Sequence, residues 1–311
     1  MENIGSRFSQ PLFPGAVIRI WMVIAAGAVL LLALIFVLIL LLRKKKRKGK
    51  AAEAPITEQP KPKPKPLPVL EIANLQGIGS REEQQDAFGI SRMDRYEEDG
   101  LLAVLCDGMG GMTEGGRIAA ETVSWLVGMF PWADDSDIPG WISQHSARVY
   151  RQFLGHGGTT LVAALLKGNR LFFWCVGDSD LFLLRNGKLY EMNIRQEYQN
   201  ELVLRALDGA FPVEEAFYDP QAGALSEYIG KEAVECDYNR IPFSLQPEDV
   251  LLLCSDGVSD TLTLKQIREA MTLSPQACCD RLEAEIRLAG KPNQDNDTAI
   301  VLTYHGKGET E

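Results

Sequence analysis

Four short segments place an aspartate at the edge of an apolar run, three of them beside glycine, and they constrain the fold more than any other feature. The segments are Cys106 to Gly111 (CDGMGG), Val176 to Ser179 (VGDS), Cys254 to Gly257 (CSDG) and Asp295 to Thr298 (DNDT). A single Asp-Gly pair is usually only a turn. Hard divalent cations such as Mg²⁺ and Mn²⁺, however, prefer carboxylate oxygens, and glycine lets the backbone turn sharply beside a ligand. Four such segments predict that distant carboxylates converge on a metal site suited to hydrolysis at phosphorus.

An uncharged apolar run of 23 residues, Ile20 to Leu42, predicts a transmembrane helix. At ~1.5 Å per residue it is long enough to cross a hydrocarbon layer of ~30 Å. A cleaved signal peptide would carry its basic residues ahead of a shorter apolar core, but here the basic cluster Arg43 to Lys50 follows the run. Seven Lys or Arg residues follow the run and two precede it, which predicts a single-pass protein of the cell membrane with its N-terminus outside. The rest of the chain is then cytoplasmic.

Charge is strongly segregated along the chain. Residues 43–65 carry a net charge of +8, whereas residues 66–311 carry −19. An acidic globular part argues against nucleic acid as a partner and suits bound cations. For the basic run, contact with anionic lipid and a role as a stop-transfer signal alone are both open.

A proline-rich stretch joins the two charge regions. Pro60 to Pro68 reads PKPKPKPLP, and its alternating prolines forbid helix and favour a stiff, extended tether. A docking site for a proline-binding module is the alternative interpretation.

The soluble part shows signals for antiparallel strands and amphipathic helices. Asn186-Gly187 and Gly168 each lie between two apolar runs, which indicates β-hairpins. Apolar residues recur at helical spacing after Gly116, and Ser274-Pro275 predicts a helix start with its end at Gly290. These elements favour an α+β fold in which two antiparallel β-sheets pack as a central sandwich flanked by antiparallel helices.

Together the motifs resemble those of the metal-dependent type 2C serine/threonine protein phosphatases. In chain order they are Arg81-x-x-x-Gln85-Asp86, DGMGG, Gly158 to Thr160, Gly177 to Ser179, Ser255 to Gly257 and Asp295-Asn296. The resemblance spans Ile72 to Tyr304 and implies the same α-β-β-α sandwich.

The resemblance completes a division of the chain into five parts. They are a short extracytoplasmic N-terminus (1–19), a transmembrane helix (20–42), a basic and Pro/Lys-rich linker (43–68), a type 2C phosphatase-like catalytic domain (69–305) and a C-terminal tail (306–311).

The resemblance also implies roles for individual residues. Asp107 would bridge two Mn²⁺ or Mg²⁺ ions, Asp256 and Asp295 would complete the first site, the Gly108 carbonyl would join the second, and Asp178 would help a weaker third ion. Asp86 would orient water at the metals, and Arg81 would bind the substrate phosphate, so that Arg81 and Asp107 are the predicted catalytic residues.

The predicted function is a membrane-tethered phosphatase that hydrolyses phosphoserine and phosphothreonine on cytoplasmic proteins through a metal-activated water. Its partners would be phosphorylated proteins, an opposing Ser/Thr kinase and the lipid bilayer through residues 20–42.

Two positions depart from the family pattern. Gln85 stands where the pattern has a glutamate ligand of the second metal, and a neutral amide should weaken that site. The alternative function is therefore a catalytically weak, phosphoprotein-binding or regulatory pseudophosphatase. Asp180 follows Gly-Asp-Ser where the family usually has arginine, and it could either strengthen a metal site or merely end a strand.

Overall fold

The computed structural model describes residues 69–109 and 114–306, together with Ile35, Phe36 and Ile39. The chain divides into two compact units, Met1–Lys65 and Pro66–Glu311. The predicted N-terminus, linker and most of the predicted transmembrane segment and tail lie outside the described residues. Within the described residues, no helix combines the length and apolar character needed to cross a bilayer.

Two antiparallel sheets form the centre of the second unit. The first sheet has the strand order β1 (Leu70–Gly77), β11 (Asp297–Tyr304), β10 (Asp249–Cys254), β6 (Asp180–Arg185) and β7 (Lys188–Glu191). The second has the order β2 (Ala87–Ile90), β3 (Leu101–Cys106), β4 (Leu161–Lys167), β5 (Arg170–Val176) and β8 (Asp237–Tyr238), with β9 (Phe243–Ser244) also pairing with β5.

Helices cover the outer faces of both sheets and fill the connections. In chain order they are α1 (Tyr96–Asp99), α2 (Gly115–Met129), α3 (Ile138–Phe153), α4 (Tyr198–Leu207), α5 (Val213–Ala216), α6 (Asp256–Ser259), α7 (Leu264–Ala270) and α8 (Pro275–Ala289).

Three apolar layers hold the sheets and helices together. The middle layer lies between the two sheets and includes Leu105, Phe173 and Leu253. A second layer packs β10 and β11 against α7 and α8, and a third packs β3 and β4 against α2 and α3. Because successive strand residues point to opposite faces, strands covered on both sides are apolar throughout, as in β3 (LLAVLC). The predicted fold of antiparallel sheets flanked by helices is confirmed.

The local sequence signals also act where they were expected. The turn between β6 and β7 has positive φ at Asn186 (52°) and Gly187 (74°), which asparagine and glycine tolerate. Helix α8 begins at Pro275, and Gly290 follows its end with φ of 59°.

Candidate metal centre

The acidic segments meet because the strands that carry them end at one side of the sandwich. In the second sheet, β3 ends at Cys106 and β5 ends at Val176, two strands that both pair with β4. In the first sheet, Cys254 at the end of β10 pairs with Asp180 of β6 and with Ala299 of β11. The aspartates that follow or precede these strand ends are therefore brought into one region.

Two threonines hold the backbone of Asp107. The Thr160 amide donates to the Asp107 carbonyl at 2.9 Å, and the Asp107 amide donates to Thr160 Oγ1 at 2.9 Å. Thr159 Oγ1 donates to the same carbonyl at 2.7 Å. Thr160 Oγ1 also lies 2.7 Å from Ser179 Oγ. The Gly-Thr-Thr segment thus joins the Asp107 loop to the Gly-Asp-Ser turn, a role that the sequence alone did not indicate.

Ser255 and Asn296 fasten the segment that carries Asp86. Ser255 Oγ donates to Asp86 Oδ2 at 2.9 Å and accepts from the Thr298 amide at 3.0 Å. Asn296 Oδ1 accepts from the Gln85 amide at 2.8 Å. These bonds bring the Asp86 carboxylate to the ends of β10 and β11.

Two glycines of the centre allow backbone contacts that a side chain would block. The Gly108 amide donates to the Gln85 carbonyl at 3.2 Å, and a Cβ on Gly108 would lie 2.6 Å from that oxygen. A Cβ on Gly257 would lie 1.9 Å from the Asn296 carbonyl oxygen. Glycine is therefore required here for close approach. Gln85 reaches the centre through its backbone, and its side chain lies beside Gly116.

Arg81 and Asp295, predicted to bind phosphate and metal respectively, bind each other. Arg81 Nη2 donates to Asp295 Oδ2 at 2.6 Å, and both side chains remain partly exposed. The other carboxylate oxygen of Asp295 accepts from the Asn296 amide at 2.8 Å. The Arg81 guanidinium thus binds the Asp295 carboxylate, which the family pattern assigns as a ligand of a metal ion.

The other four aspartates of the centre, Asp86, Asp107, Asp178 and Asp256, form an acidic cluster whose negative charges repel one another. Burial raises the pKa of Asp107 well above its usual range, and the negative charges of Asp86, Asp256 and Asp178 raise it further. Burial, aided by the Asp256 charge, raises the pKa of Asp178 to about 7. Burial raises the pKa of Asp86 to about 6 despite its hydrogen bonds, and it also raises the pKa of Asp256. The cluster therefore has the electrostatic character of a cation site.

The carboxylate oxygens of this cluster are suitable ligands for a hard divalent cation. Asp86 Oδ1 and Asp256 Oδ1 are buried and have no hydrogen-bond partner within the described residues, which is costly for a carboxylate. All the donors are oxygens, as Mg²⁺ and Mn²⁺ prefer. In the described part of the chain, no three His, Cys, Asp or Glu side chains already share the geometry of a metal site.

The role of Asp180, left open by the sequence, is settled by an arginine that sequence reasoning missed. Asp180 forms a two-point ion pair with Arg195, whose Nε and Nη2 donate to its carboxylate at 3.0 Å and 2.6 Å. Its charge is therefore neutralised by the chain itself. The only sequence signal was the reversed charge at position 180, which requires a nearby cation once it is buried.

The raised pKa values of Asp178 and Asp86 predict how the stability of the metal-free protein depends on pH. Between about pH 4 and about pH 7 the folded protein retains protons on Asp178 and Asp86 that the unfolded chain has released, so stability falls as pH rises. We expect the melting temperature of the metal-free protein to fall by several degrees across this range, and added Mn²⁺ to restore it.

The contribution of His145 to stability changes with pH in the opposite direction, so the experiment needs a control. Burial lowers the pKa of His145 to about 4, so this group adds stability as pH rises toward its ordinary value. Asp178→Asn separates the two effects, because the variant keeps His145 and should show a smaller fall. Equal pH profiles for Asp178→Asn and the native protein, measured by differential scanning fluorimetry, would contradict the assignment.

Known proteins resemble this chain in sequence and in structure. The sequence profile of the family described as Protein phosphatase 2C matches residues 77–290. Protein phosphatase PhpP of Streptococcus pneumoniae is 25% identical over 258 residues, covering 78% of this chain and all of PhpP. Serine/threonine phosphatase stp of Listeria monocytogenes is 30% identical over 217 residues, covering 65% of this chain and 83% of stp.

Solved structures give the same result. The S. agalactiae serine/threonine phosphatase superposes with a TM-score of 0.64 at 27% identity, over 75% of this chain and 99% of that chain. The catalytic domain of the serine/threonine protein phosphatase PstP, solved in complex with two manganese ions, superposes with a TM-score of 0.59 at 25% identity, over 76% and 98% of the two chains.

Proposed function

The chain belongs to the protein phosphatase 2C family and is a protein-serine/threonine phosphatase, and we propose that it works with two Mn²⁺ or Mg²⁺ ions held by its acidic cluster. The observation that carries the proposal is the convergence of Asp107, Asp178 and Asp256 into one buried, mutually repulsive group, in which Asp256 Oδ1 has no hydrogen-bond partner among the described residues. The related PstP catalytic domain binds two manganese ions.

The residues of the candidate metal centre, inside and outside the acidic cluster, have distinct tasks in this proposal. Asp107, Asp256, Asp295, Asp178 and the Gly108 carbonyl would hold the ions. Divalent ions in such a site lower the pKa of water and stabilise charge on phosphoryl oxygens. The planar guanidinium of Arg81 matches the geometry of two phosphate oxygens. The side chains of Asp86 and Ser255, which are hydrogen-bonded to each other, would orient the ligands from behind.

A metal titration of phosphate release tests the proposal. Protein stripped with a chelator should not hydrolyse a phosphothreonine peptide, and added Mn²⁺ or Mg²⁺ should restore hydrolysis because the carboxylates alone do not supply a nucleophile. Phosphate release that persists in the chelator would reject the metal-dependent reaction. Binding of the phosphopeptide without turnover at saturating metal would instead favour the pseudophosphatase alternative. A large gain in rate for Gln85→Glu would point to an impaired second metal site.

Residues 20–42 are proposed to anchor the enzyme in the cell membrane, with the catalytic domain in the cytoplasm. The support is the uncharged run and the basic cluster behind it. Its substrates would then be cytoplasmic phosphoproteins made by an opposing Ser/Thr kinase. We expect the full chain to stay with membranes after washing at high salt and high pH, and a chain lacking residues 1–42 to be released. Equal partitioning of the two chains would exclude the anchor.

A further inference from the structure

A short strap, residues 193–197, crosses the turn that carries Asp178. Asn193 Oδ1 accepts from the Leu181 amide at 2.7 Å, and its Nδ2 donates to the Ser179 carbonyl at 3.0 Å. Gln196 Oε1 accepts from the Gly177 backbone amide at 2.8 Å, and the Gln196 backbone amide donates to the Gly177 carbonyl at 2.9 Å. The strap therefore fixes the backbone on each side of Asp178.

Within the strap, the Arg195 side chain leaves this turn and reaches helix α6. Besides its two bonds to Asp180, its Nη2 donates to Ser259 Oγ at 2.7 Å and its Nη1 donates to Asp260 Oδ1 at 2.8 Å. Helix α6 begins with Asp256 and ends with Ser259. One guanidinium thus joins the start of β6, two residues after Asp178, to the far end of the single helical turn that opens with Asp256.

Partial burial and the planar shape of the guanidinium restrict the orientation of Arg195 relative to its partners. Its side chain is 28% exposed and that of Asp180 is 8% exposed, so solvent screens the pair less than it screens surface ion pairs. A planar fork that makes parallel bonds to a carboxylate also restricts the relative orientation of the two groups. The Arg195 carbonyl accepts from Asn200 Nδ2 at 2.6 Å, which connects the strap to helix α4.

We propose that Arg195 is a positioning residue of the metal centre, which sets the separation between the turn of Asp178 and the helix of Asp256. The inference rests on the proposed function, because it assumes that these two aspartates act on bound cations. It assigns a role to a residue outside the acidic motifs. It also explains why the chain carries an aspartate at position 180, since Asp180 holds the guanidinium that reaches α6.

Positioning and plain electrostatics predict opposite signs, which makes the inference testable. Removal of a positive charge beside carboxylates should tighten Mn²⁺ binding by Coulomb attraction alone. Loss of a positioning contact should weaken it, since contacts behind metal ligands are worth roughly 10 to 100-fold in affinity. We expect Arg195→Gln to weaken Mn²⁺ binding about tenfold, and Arg195→Lys, which keeps the charge without the fork, to lie between it and the native protein.

The experiment is an isothermal titration of the metal-free full chain, purified in detergent, with Mn²⁺, beside melting temperatures of the same samples. Arg185→Gln is the matched control. Arg185 forms an ion pair with Asp249 at the other end of β6, and the two side chains are 18% and 2% exposed. The Arg185→Gln variant should have a lower melting temperature and an unchanged Mn²⁺ affinity, which separates the effect of positioning from general destabilisation.

A charge-neutral variant keeps the test decisive if Arg195→Gln does not fold. Ser259→Ala removes one bond from Arg195 to α6 without altering any charge, and we expect it to weaken Mn²⁺ binding about two- to threefold by loss of one hydrogen bond to a charged group, much of it replaced by water. Unchanged or tighter binding in each of these variants that folds would overturn the inference while leaving the proposed function intact. A native chain that binds no Mn²⁺ would overturn the proposed function and this inference with it.

Discussion

Replacing Asp107 with asparagine is expected to abolish phosphatase activity and, at the same time, to raise the melting temperature of the metal-free protein. Asp107 lies at the centre of the acidic cluster, where burial and three neighbouring carboxylates oppose its charge. Asparagine has the same shape and removes the repulsion, so the apo fold gains stability near neutral pH. The variant also loses the ligand predicted to bridge the metals, and with it several kcal/mol of transition-state stabilisation, or at least ~10³-fold in kcat/KM.

Two measurements check the Asp107→Asn prediction together. Fluorimetric melting without metal should show a rise of a few degrees, since about 1 kcal/mol corresponds to ~2–4 °C in a domain of this size. Added Mn²⁺, which should stabilise the native protein strongly, should have little further effect on the variant. Asp135→Asn serves as a control, because Asp135 is exposed in the loop between α2 and α3. A variant that keeps both turnover and the Mn²⁺-induced shift would remove Asp107 from the site.

Replacing Arg81 with glutamine should have opposite effects on substrate and metal. The guanidinium is bonded to Asp295 at 2.6 Å, so a metal ion that recruits Asp295 must first break this pair. Without Arg81 the carboxylate is free, and Mn²⁺ should bind more tightly. The phosphate loses its planar, charged partner, so kcat/KM for a phosphopeptide should fall by about 10²-fold, as expected for a charge-assisted, two-point contact worth ~3 kcal/mol.

The Arg81→Gln prediction is checked by titrating the variant with Mn²⁺ calorimetrically and measuring kcat and KM at saturating metal. Arg92→Gln is a suitable control, since Arg92 forms an equally short ion pair with Asp94 on the exposed surface. Weaker Mn²⁺ binding in Arg81→Gln would mean that the ion pair does not compete with the metal. Unchanged kcat/KM would exclude phosphate binding by Arg81.

Much of the fold follows from local chemistry that the sequence displays. The Asn186-Gly187 turn requires two residues that accept positive φ, and few other dipeptides do. Thr263 and Gln266 form the capping box that opens α7, with each side chain bonded to the backbone of the other. Buried strands are recognisable because both of their faces are apolar. Such signals depend on neighbours within a few residues, so they do not require knowledge of the tertiary structure.

The partners of charged side chains were less accessible. Nothing near Arg81 in the sequence points to Asp295, which lies 214 positions away. Arg195 carries no motif, yet it bonds Asp180, Ser259 and Asp260. An ion pair depends on distance in space, and a long flexible side chain reaches several acceptors from one backbone position. Sequence spacing therefore does not select among them.

For this protein, the sequence by itself determined the kind of chemistry and the layered architecture. Carboxylates beside glycine at the ends of apolar runs specify oxygen ligands on sharp turns, and the period of the apolar residues specifies strands and helices. Only the tertiary structure decided which charges meet: that Thr160 joins two acidic segments, that Arg81 holds Asp295, and that Asp180 is neutralised by Arg195. The reason is physical, because propensity and periodicity act along the chain, whereas Coulomb and hydrogen-bond energies depend on separations that only the packed sheets establish.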